Sequence, residues 1–240
     1  MNLLLVRHGE TALNVARVLQ PADTPLSARG RAQADAVARR LGALRVLRIV
    51  SSDLPRAQHT AQAIAAATGA PLEHTPLLQE RNFGDWRGLP YDRLALDPLN
   101  HDAAPPHGES LDAFHARVAA AWAHVTSLAR MAAAATLTAS PDGAPPHRDT
   151  HRDMHPGTLA DTLAEPPCLV VVTHGLVLGA MLARHVRLDE RAAGAALPAQ
   201  LRNTGVSIVE AHAPHRVLRV DCVRHLDAHL HIDARGLSGG

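Results

Sequence analysis

The stretch Leu3-Leu4-Leu5-Val6-Arg7-His8-Gly9-Glu10-Thr11 decides how the rest of the chain is read. A short apolar run meets an arginine, a histidine and a glycine. The run has the continuous hydrophobicity of a strand buried on both faces, and it delivers Arg7 and His8 to its carboxyl end. In open α/β sheets the ligand crevice lies outside that end. A lone histidine after a strand is more often structural than reactive. Arg7-His8 therefore gains weight only if other strand ends bring matching chemistry to the same edge.

Downstream, strand and helix signals alternate. A polar loop over about 11–26 holds Asn14, Arg17, Asp23 and Pro25, and Ser27 suits the N-cap of a helix ending near Leu41, with Val37 and Leu41 facing inward and Gly42 as its stop. Val46-Leu47-Arg48-Ile49-Val50-Ser51 reads as a second strand, and Ser52-Asp53-Leu54-Pro55-Arg56 as its carboxyl-end turn. Ser52 or Asp53 is expected to cap the next helix, with Pro55 in its first turn and Gly69 at its end. A short strand near Leu72 leads to Leu78-Gln79-Glu80. The loop-rich stretch from about 84 to 108 follows. Ser110 then caps a long helix whose apolar positions Leu111, Phe114, Val118, Trp122 and Val125 keep the three-and-four spacing.

From about 132 to 167 the pattern dissolves into Ala, Thr, Pro, Asp and His, as in an insertion or mobile loop that is too polar for a second core. Leu169-Val170-Val171-Val172-Thr173 is the clearest strand, and His174-Gly175 opens the helix after it. Residues 205–212 and 216–223 alternate like a hairpin, and the tail beyond Leu226 is expected to fray. The pattern predicts one α/β domain over 1–240, a three-layer α/β/α sandwich around a mostly parallel sheet.

Composition narrows the function classes. A formal charge of +1 and well-mixed charges give no nucleic-acid signal. Arg7 interrupts the first apolar run early, and no run approaches membrane-spanning length, so a soluble, cytoplasmic protein without a membrane partner is expected. Cys168 and Cys222 sit in apolar runs and read as buried thiols. Aromatic residues make up only 2%, so the core must be aliphatic. The chain has 17 histidines, many of them in two clusters. His147, His151 and His155 have a metal-like spacing, but Pro145-Pro146 and Pro156 argue against a stable helix, so a solvated loop is the better reading. His225, His229 and His231 are read likewise, and no metal site is assigned.

Under this topology Arg7, His8, Arg56, Glu80 and His174 converge on one edge of the sheet. Arginine forks match phosphate oxygens. The helix start after His174-Gly175 adds backbone N–H donors. A neutral imidazole can attack phosphorus in line while neighbouring cations stabilise the equatorial oxygens, and a carboxylic acid can protonate the leaving oxygen. Each residue alone has a structural reading, as a packed histidine, a surface ion pair or a surface carboxylate. Jointly they suit a dianionic phosphoryl group.

Five stretches carry a family resemblance. They are Arg7-His8-Gly9-Glu10-Thr11 with Asn14; Asp23-Thr24-Pro25-Leu26 with Gly30; Ser51 to Ala57 with Thr60-Ala61; Gly108-Glu109-Ser110 with Arg117-Val118; and Val172-Thr173-His174-Gly175. In this order they resemble the histidine phosphatase superfamily, its phosphoglycerate mutase-like branch 1. The resemblance implies the phosphoglycerate mutase-like fold and a phosphohistidine mechanism. His8 would be the nucleophile, Glu80 the proton donor, and Arg7, Arg56 and His174 the phosphoryl clamp. Asn14 and Gly175 would contact the phosphate, and Glu109 would line the same pocket.

The chain departs from the pattern at Pro21, where the family usually has glycine, and in the segment 132–167. That segment should emerge at the amino end of the sheet, away from the site. The stretch 81–108 should roof the pocket, which makes Trp86, Tyr91, His101 and His107 the candidates for specificity.

Phe83-Gly84-Asp85-Trp86-Arg87-Gly88 looks more like the phosphatase members than the mutases. The expectation is a metal-independent phosphomonoester hydrolase for a small phosphorylated molecule, without a cofactor. The alternative is a phosphoglycerate mutase that uses bisphosphoglycerate as cofactor. A mutase would need an extra basic cluster to hold that intermediate, and none stands out near the motifs. A third reading is a non-catalytic phospho-ligand binding module, which the presence of all five residues disfavours. Members of the family often form dimers, so a homodimer is compatible with the resemblance.

Overall fold

The computed structural model describes residues 1–94, 104–138, 166–188, 198, 200–226 and 230, with only the backbone of 136–138. The chain runs β1 (Asn2–Arg7), α1 (Ala12–Val15), α2 (Ala28–Leu41), β2 (Val46–Ser51), α3 (Pro55–Thr68), β3 (Leu72–His74), α4 (Leu111–Thr138), β4 (Cys168–Thr173), α5 (Gly175–Arg184), β5 (Val206–Glu210) and β6 (Val217–Cys222). Single 3-10 turns at Pro76–Leu78, Gly84–Trp86 and Tyr91–Arg93 occupy the stretch between β3 and α4.

The strands form one sheet in the order β3-β2-β4-β1-β5-β6. β3, β2, β4 and β1 are parallel, while β5 runs antiparallel to β1 and pairs with β6 as a hairpin. The period-two alternation of the strands sends Leu3, Leu5, Leu169 and Val171 to one face, where Phe114, Val118 and Val125 of α4 and Val177 and Met181 of α5 cover them. Leu4, Val6, Val170 and Val172 face the other way, onto Val37 and Leu41 of α2 and Ala57 and Ile64 of α3. This is the expected three-layer α/β/α arrangement. Both cysteines are free and buried.

Most local signals hold. Ser27 caps α2 through the Gly30 N–H, Gly69 ends α3 in the left-handed conformation, and the Ser110 hydroxyl accepts the Ala113 N–H at the start of α4. Two expectations are corrected. Leu54, not Ser52 or Asp53, is the N-cap of α3. Ser52 Oγ takes the Leu54 N–H instead, and Asp53 is held by the Gln79 amide. The long helix also continues past 132 to Thr138, because the alanine-rich stretch supports helix better than its lack of apolar spacing suggested. The remainder of the expected insertion, 139–165, lies outside the described residues, and the chain re-enters at the amino end of the sheet, where the Asn2 N–H donates to Pro167 O at 3.2 Å. Among the described residues no helix is long and apolar enough to cross a membrane.

One close approach ties α2 to the loop after β1. A Cβ on Gly30 would run into the Glu10 carbonyl oxygen, and a Cβ on Gly9 into that of Gly30. Gly30→Ala is expected to destabilise the protein by about 2–4 kcal/mol through overpacking against rigid backbone. Thermal melting should show a midpoint roughly 5–15 °C lower. An unchanged midpoint would mean that α2 can move off the loop freely.

Candidate active site

The loop after β1 is fixed on every side. The His8 N–H extends the β1–β4 ladder to Thr173 O at 2.9 Å. The Gly9 N–H donates to Thr60 Oγ1 of α3 at 3.1 Å, and the Glu10 N–H to Gln33 Oε1 of α2 at 2.9 Å. The His8 ring is buried, with Nδ1 2.6 Å from Gly9 O. A carbonyl only accepts, so Nδ1 carries the proton and Nε2 carries the lone pair. Burial lowers the His8 pKa well below its ordinary value, and the charges of Arg56 and Arg7 lower it further. The ring is neutral, with a fixed tautomer that puts the lone pair on Nε2.

His174, the N-cap of α5, lies beneath it, with ring centroids 5.1 Å apart. His174 Nε2 is 2.9 Å from Ser52 Oγ. Ser52 Oγ already accepts the Leu54 N–H, so its hydroxyl proton can go to Nε2, which leaves Nδ1 as the protonated nitrogen. That Nδ1 is buried without a partner, as are Arg7 Nε and Arg56 Nε. Buried orphan donors are costly in a packed interior, and an anion is a group that satisfies donors of this kind. Arg56 is brought in by the first turn of α3, and its guanidinium also donates to the Pro21 and Ala22 carbonyls at 3.3 and 3.4 Å. Burial brings its pKa down to about 10, so it stays cationic at neutral pH. The Arg7 guanidinium donates to Leu201 O.

Glu80 closes the group. Its carboxylate accepts the Leu176 N–H from the first turn of α5 and the Arg81 N–H, each at 3.2 Å. Burial raises its pKa above the ordinary carboxylate value, against the lowering effect of those N–H groups and of Arg56 and Arg7. Arg117 holds the backbone beneath it, donating to Leu77 O at 2.9 Å and Gln79 O at 2.7 Å.

This arrangement corrects the expectation for Glu109. Its carboxylate forks onto Arg117 at 2.9 and 2.8 Å and also takes the Asn82 N–H at 3.3 Å. It is absent from the lining of the central cavity. The two-point pairing turns it toward Arg117, so it steadies the Glu80 segment from behind.

A cavity of 170 Å³ opens above His8, lined by Arg7, Asn14, Arg56, Glu80 and Gly175 among others. Asn14 Oδ1 accepts the Thr11 N–H at 3.1 Å and the Asn203 amide at 3.3 Å. Two donors on the oxygen fix the flip of that amide and leave its NH2 for a ligand. Of the specificity candidates Tyr91 lines the cavity, whereas Trp86 and His107 do not, and His101 lies outside the described residues. His107 is instead exposed and paired with Asp85 at 3.0 Å.

Sequence reasoning missed Asn203. Its Nδ2 donates to His8 O at 3.0 Å as well as to Asn14. It stands on a turn clamped by Arg202 on Asp221, with Nε to Oδ2 at 2.8 Å. The loop signal before β5 was legible, but the contact across the sheet was not. Asn203→Asp sets a carboxylate against two oxygens, so kcat/KM is expected to fall roughly 10- to 100-fold, the 1.4–2.7 kcal/mol cost of turning a buried donor into an acceptor. Steady-state kinetics of the folded variant checks this, and wild-type kinetics would remove Asn203 from the site.

Among the described residues no group of three or more His, Cys, Asp or Glu is placed to hold a metal. His225 contacts Arg40 and Thr204 at 2.9 and 3.1 Å. The other histidines of the two clusters lie outside the described residues.

The model of the histidine phosphatase superfamily (branch 1) matches residues 3–138, the span that supplies Arg7, His8, Arg56 and Glu80. The chain belongs to this superfamily. It is 30% identical over 220 residues to the probable phosphoglycerate mutase GpmB of Shigella boydii, covering 88% of this chain and 85% of that protein. It is 43% identical over 96 residues to the glucosyl-3-phosphoglycerate phosphatase of Mycobacterium tuberculosis, which is 40% of this chain and 43% of that protein. The solved native structure of a mycobacterial glucosyl-3-phosphoglycerate phosphatase superposes with a TM-score of 0.64 at 27% identity, covering 92% of this chain and 99% of that one. The phosphoglycerate mutase-like fold expected from the motifs is thus the fold observed, and the family is a phosphatase and mutase family.

Proposed function

We propose that the protein hydrolyses phosphomonoesters of small molecules through a phosphohistidine at His8. The observation that carries this reading is the neutral, tautomer-fixed His8 ring among the unpartnered donors of Arg7, Arg56 and His174. In the first step the Nε2 lone pair attacks phosphorus and the ester P–O bond breaks. The Glu80 carboxyl gives its proton to the leaving oxygen. Arg7, Arg56, His174 and the Asn14 amide hold the equatorial oxygens, where charge builds up in transit. In the second step water attacks the phosphohistidine, Glu80 takes its proton, and the P–N bond breaks to release inorganic phosphate and restore the lone pair. The burial that raises the Glu80 pKa suits both of its roles.

The mutase reading keeps one supporting observation. More arginines line the cavity than a single phosphoryl group uses, namely Arg17, Arg81 and Arg87 beside Arg7 and Arg56. This supplies the basic cluster that the linear motifs did not display. The Phe83-Gly84-Asp85-Trp86 stretch supports the hydrolase.

A panel of phosphomonoesters, assayed for phosphate release with and without bisphosphoglycerate, separates the readings. Release without bisphosphoglycerate, unchanged in EDTA, is the expected result. Stimulation by bisphosphoglycerate with transfer outrunning hydrolysis would make the protein a mutase. Absence of release from every ester between about pH 4 and 8 would make it a binding module.

A further inference from the structure

Residues 201–205 form the turn that leads into β5, and every one of them except Arg202 touches Arg7 or His8. Leu201 O accepts from the Arg7 guanidinium. The Thr204 N–H donates to Arg7 O at 3.0 Å and to His8 O at 3.3 Å, and Gly205 O takes the Arg7 N–H at 3.3 Å. Asn203 Nδ2 adds its bond to His8 O. One turn thus sets both the backbone that carries the His8 ring and the direction of the Arg7 fork.

Arg202 holds this turn on Asp221. Its N–H donates to Oδ1 at 2.9 Å, its Nε to Oδ2 at 2.8 Å and its Nη2 to the Asp221 carbonyl at 2.7 Å. Asp221 is buried near the end of β6 and is absent from the cavity lining. The strand is bent to bring it there. Val206 pairs with Cys222 but Ile208 with Arg219, so Val220 and Asp221 together oppose Ser207. Such a bulge re-aims a side chain, and bulges are over-represented at sheet edges and beside active sites. Asp221 has φ 48° and Thr204 φ 54°, the left-handed region that strains a residue with a Cβ, above all a β-branched one. The Asp221 N–H on Ser207 Oγ at 3.0 Å fixes the one, and the Arg7 and His8 carbonyls on the Thr204 N–H fix the other. At Gly205 a Cβ would collide with Asp221 Oδ1, so the carboxylate sits directly against the turn. Strain held in place by its surroundings clusters at active sites and ligand clamps.

We propose that Asp221 is a positioning residue for the phosphoryl-transfer site. Acting through Arg202, it sets the turn that aims the Arg7 fork and the His8 ring at one phosphoryl group. The proposal rests on the phosphohydrolase reading for what the aimed groups do. A carboxylate grips a guanidinium and a backbone N–H through two oxygens, a geometry that an amide lacks. Without that grip the strained Thr204 backbone relaxes, and the carbonyls of Leu201, Arg7 and His8 shift with it. A displacement of about 1 Å at a reacting centre costs roughly 10²-fold in rate.

Asp221→Asn and Arg202→Gln test it, with Val217→Ala as the control. Val217 is a buried core residue of the same strand, so its truncation loosens β6 without touching the Arg202–Asp221 pair. Below the melting midpoint of each protein, both pair variants should lose about 10- to 100-fold in kcat/KM and bind inorganic phosphate about tenfold or more weakly. The control should keep both values. The acid limb of the pH profile gives a readout that a merely structural role would not move. With Arg7 displaced, burial and Arg56 are what still depress the His8 pKa, so in the pair variants the limb rises toward the ordinary 6.5. Loss of the Asp221 charge acting through space would move it down instead. The double variant should be no worse than the more damaged single one, since both break the same link. If Asp221→Asn does not fold, Arg202→Gln, changed at the half-exposed partner, carries the same expectations. Unchanged kinetics and phosphate affinity in a folded pair variant, a downward limb, or an equal loss in the control overturns the proposal and leaves the hydrolase reading standing. No turnover of any ester by the unaltered protein, with phosphate binding still weakened in the pair variants, removes the hydrolase reading and leaves the positioning role.

Discussion

His8→Ala loses phosphate release, with kcat falling by at least about 10⁴-fold, as is usual when a covalent nucleophile is removed. The size of the effect follows from the site. Nε2 of His8 is the lone pair that the Gly9 carbonyl fixes in the cavity by taking the Nδ1 proton. His174 cannot replace it, because its Nε2 is engaged with Ser52. The fold should survive. Truncation removes a buried imidazole whose neighbours are polar, and the β1–β4 ladder uses the His8 backbone, not its side chain. The melting midpoint is expected to stay within a few degrees, a change of about 1 kcal/mol or less. Rapid quenching with labelled substrate gives the complementary measurement. The wild-type protein should trap an acid-labile, base-stable phosphoryl adduct and the alanine variant none. Turnover retained by the variant would remove the nucleophile assignment.

Glu80→Gln should lower kcat by about 10²- to 10⁴-fold with esters of ordinary alcohols, the range for loss of a general acid. The glutamine keeps the shape and one acceptor for the Leu176 or Arg81 N–H, but it has no proton to give. Leaving-group dependence separates proton donation from mere positioning. A nitrophenyl ester needs little help from an acid, so its loss should be much smaller than that of an alkyl ester.

The pH profile gives a second readout. The proposed mechanism requires His8 neutral and Glu80 protonated. The His8 pKa is depressed by burial, Arg56 and Arg7, so kcat/KM should hold to well below pH 6.5 before the acid limb sets in. The Glu80 pKa is raised by burial, so the alkaline limb should begin above the ordinary carboxylate value as Glu80 loses its proton. In the glutamine variant the alkaline limb should vanish while the acid limb remains. An identical profile in both proteins would assign the alkaline limb to another group.

Much of this site could be read along the chain. Strand β1, Gly69 as the end of α3 and the spacing of Leu111, Phe114 and Val118 were legible because strand period, capping and helix period depend on residues within a few positions. Arg7, His8, Arg56, Glu80 and His174 were legible for a related reason, since each lies at or after the end of a strand, and parallel strands deliver their carboxyl ends to one edge. Glu109 was misplaced because its neighbourhood looks like a pocket loop, while its orientation depends on Arg117, one face of a helix away. Asn203 and the placing of Arg17 and Arg87 on the cavity wall left no local signal. Their positions follow from contacts across the sheet and between the loops 17–19 and 88–91.

The sequence by itself determined the layers, the order of the elements and the chemistry that gathers around Arg7-His8. Only the tertiary structure decided how that chemistry is set: which nitrogen of His8 holds the lone pair, which carboxylate faces the cavity, and which arginines line it. The reason is range. Backbone propensity and periodicity are properties of neighbours in the chain. A tautomer, a side-chain fork or a shifted pKa depends on partners such as Ser52 and His174, brought together from opposite halves of the chain by the order of the strands.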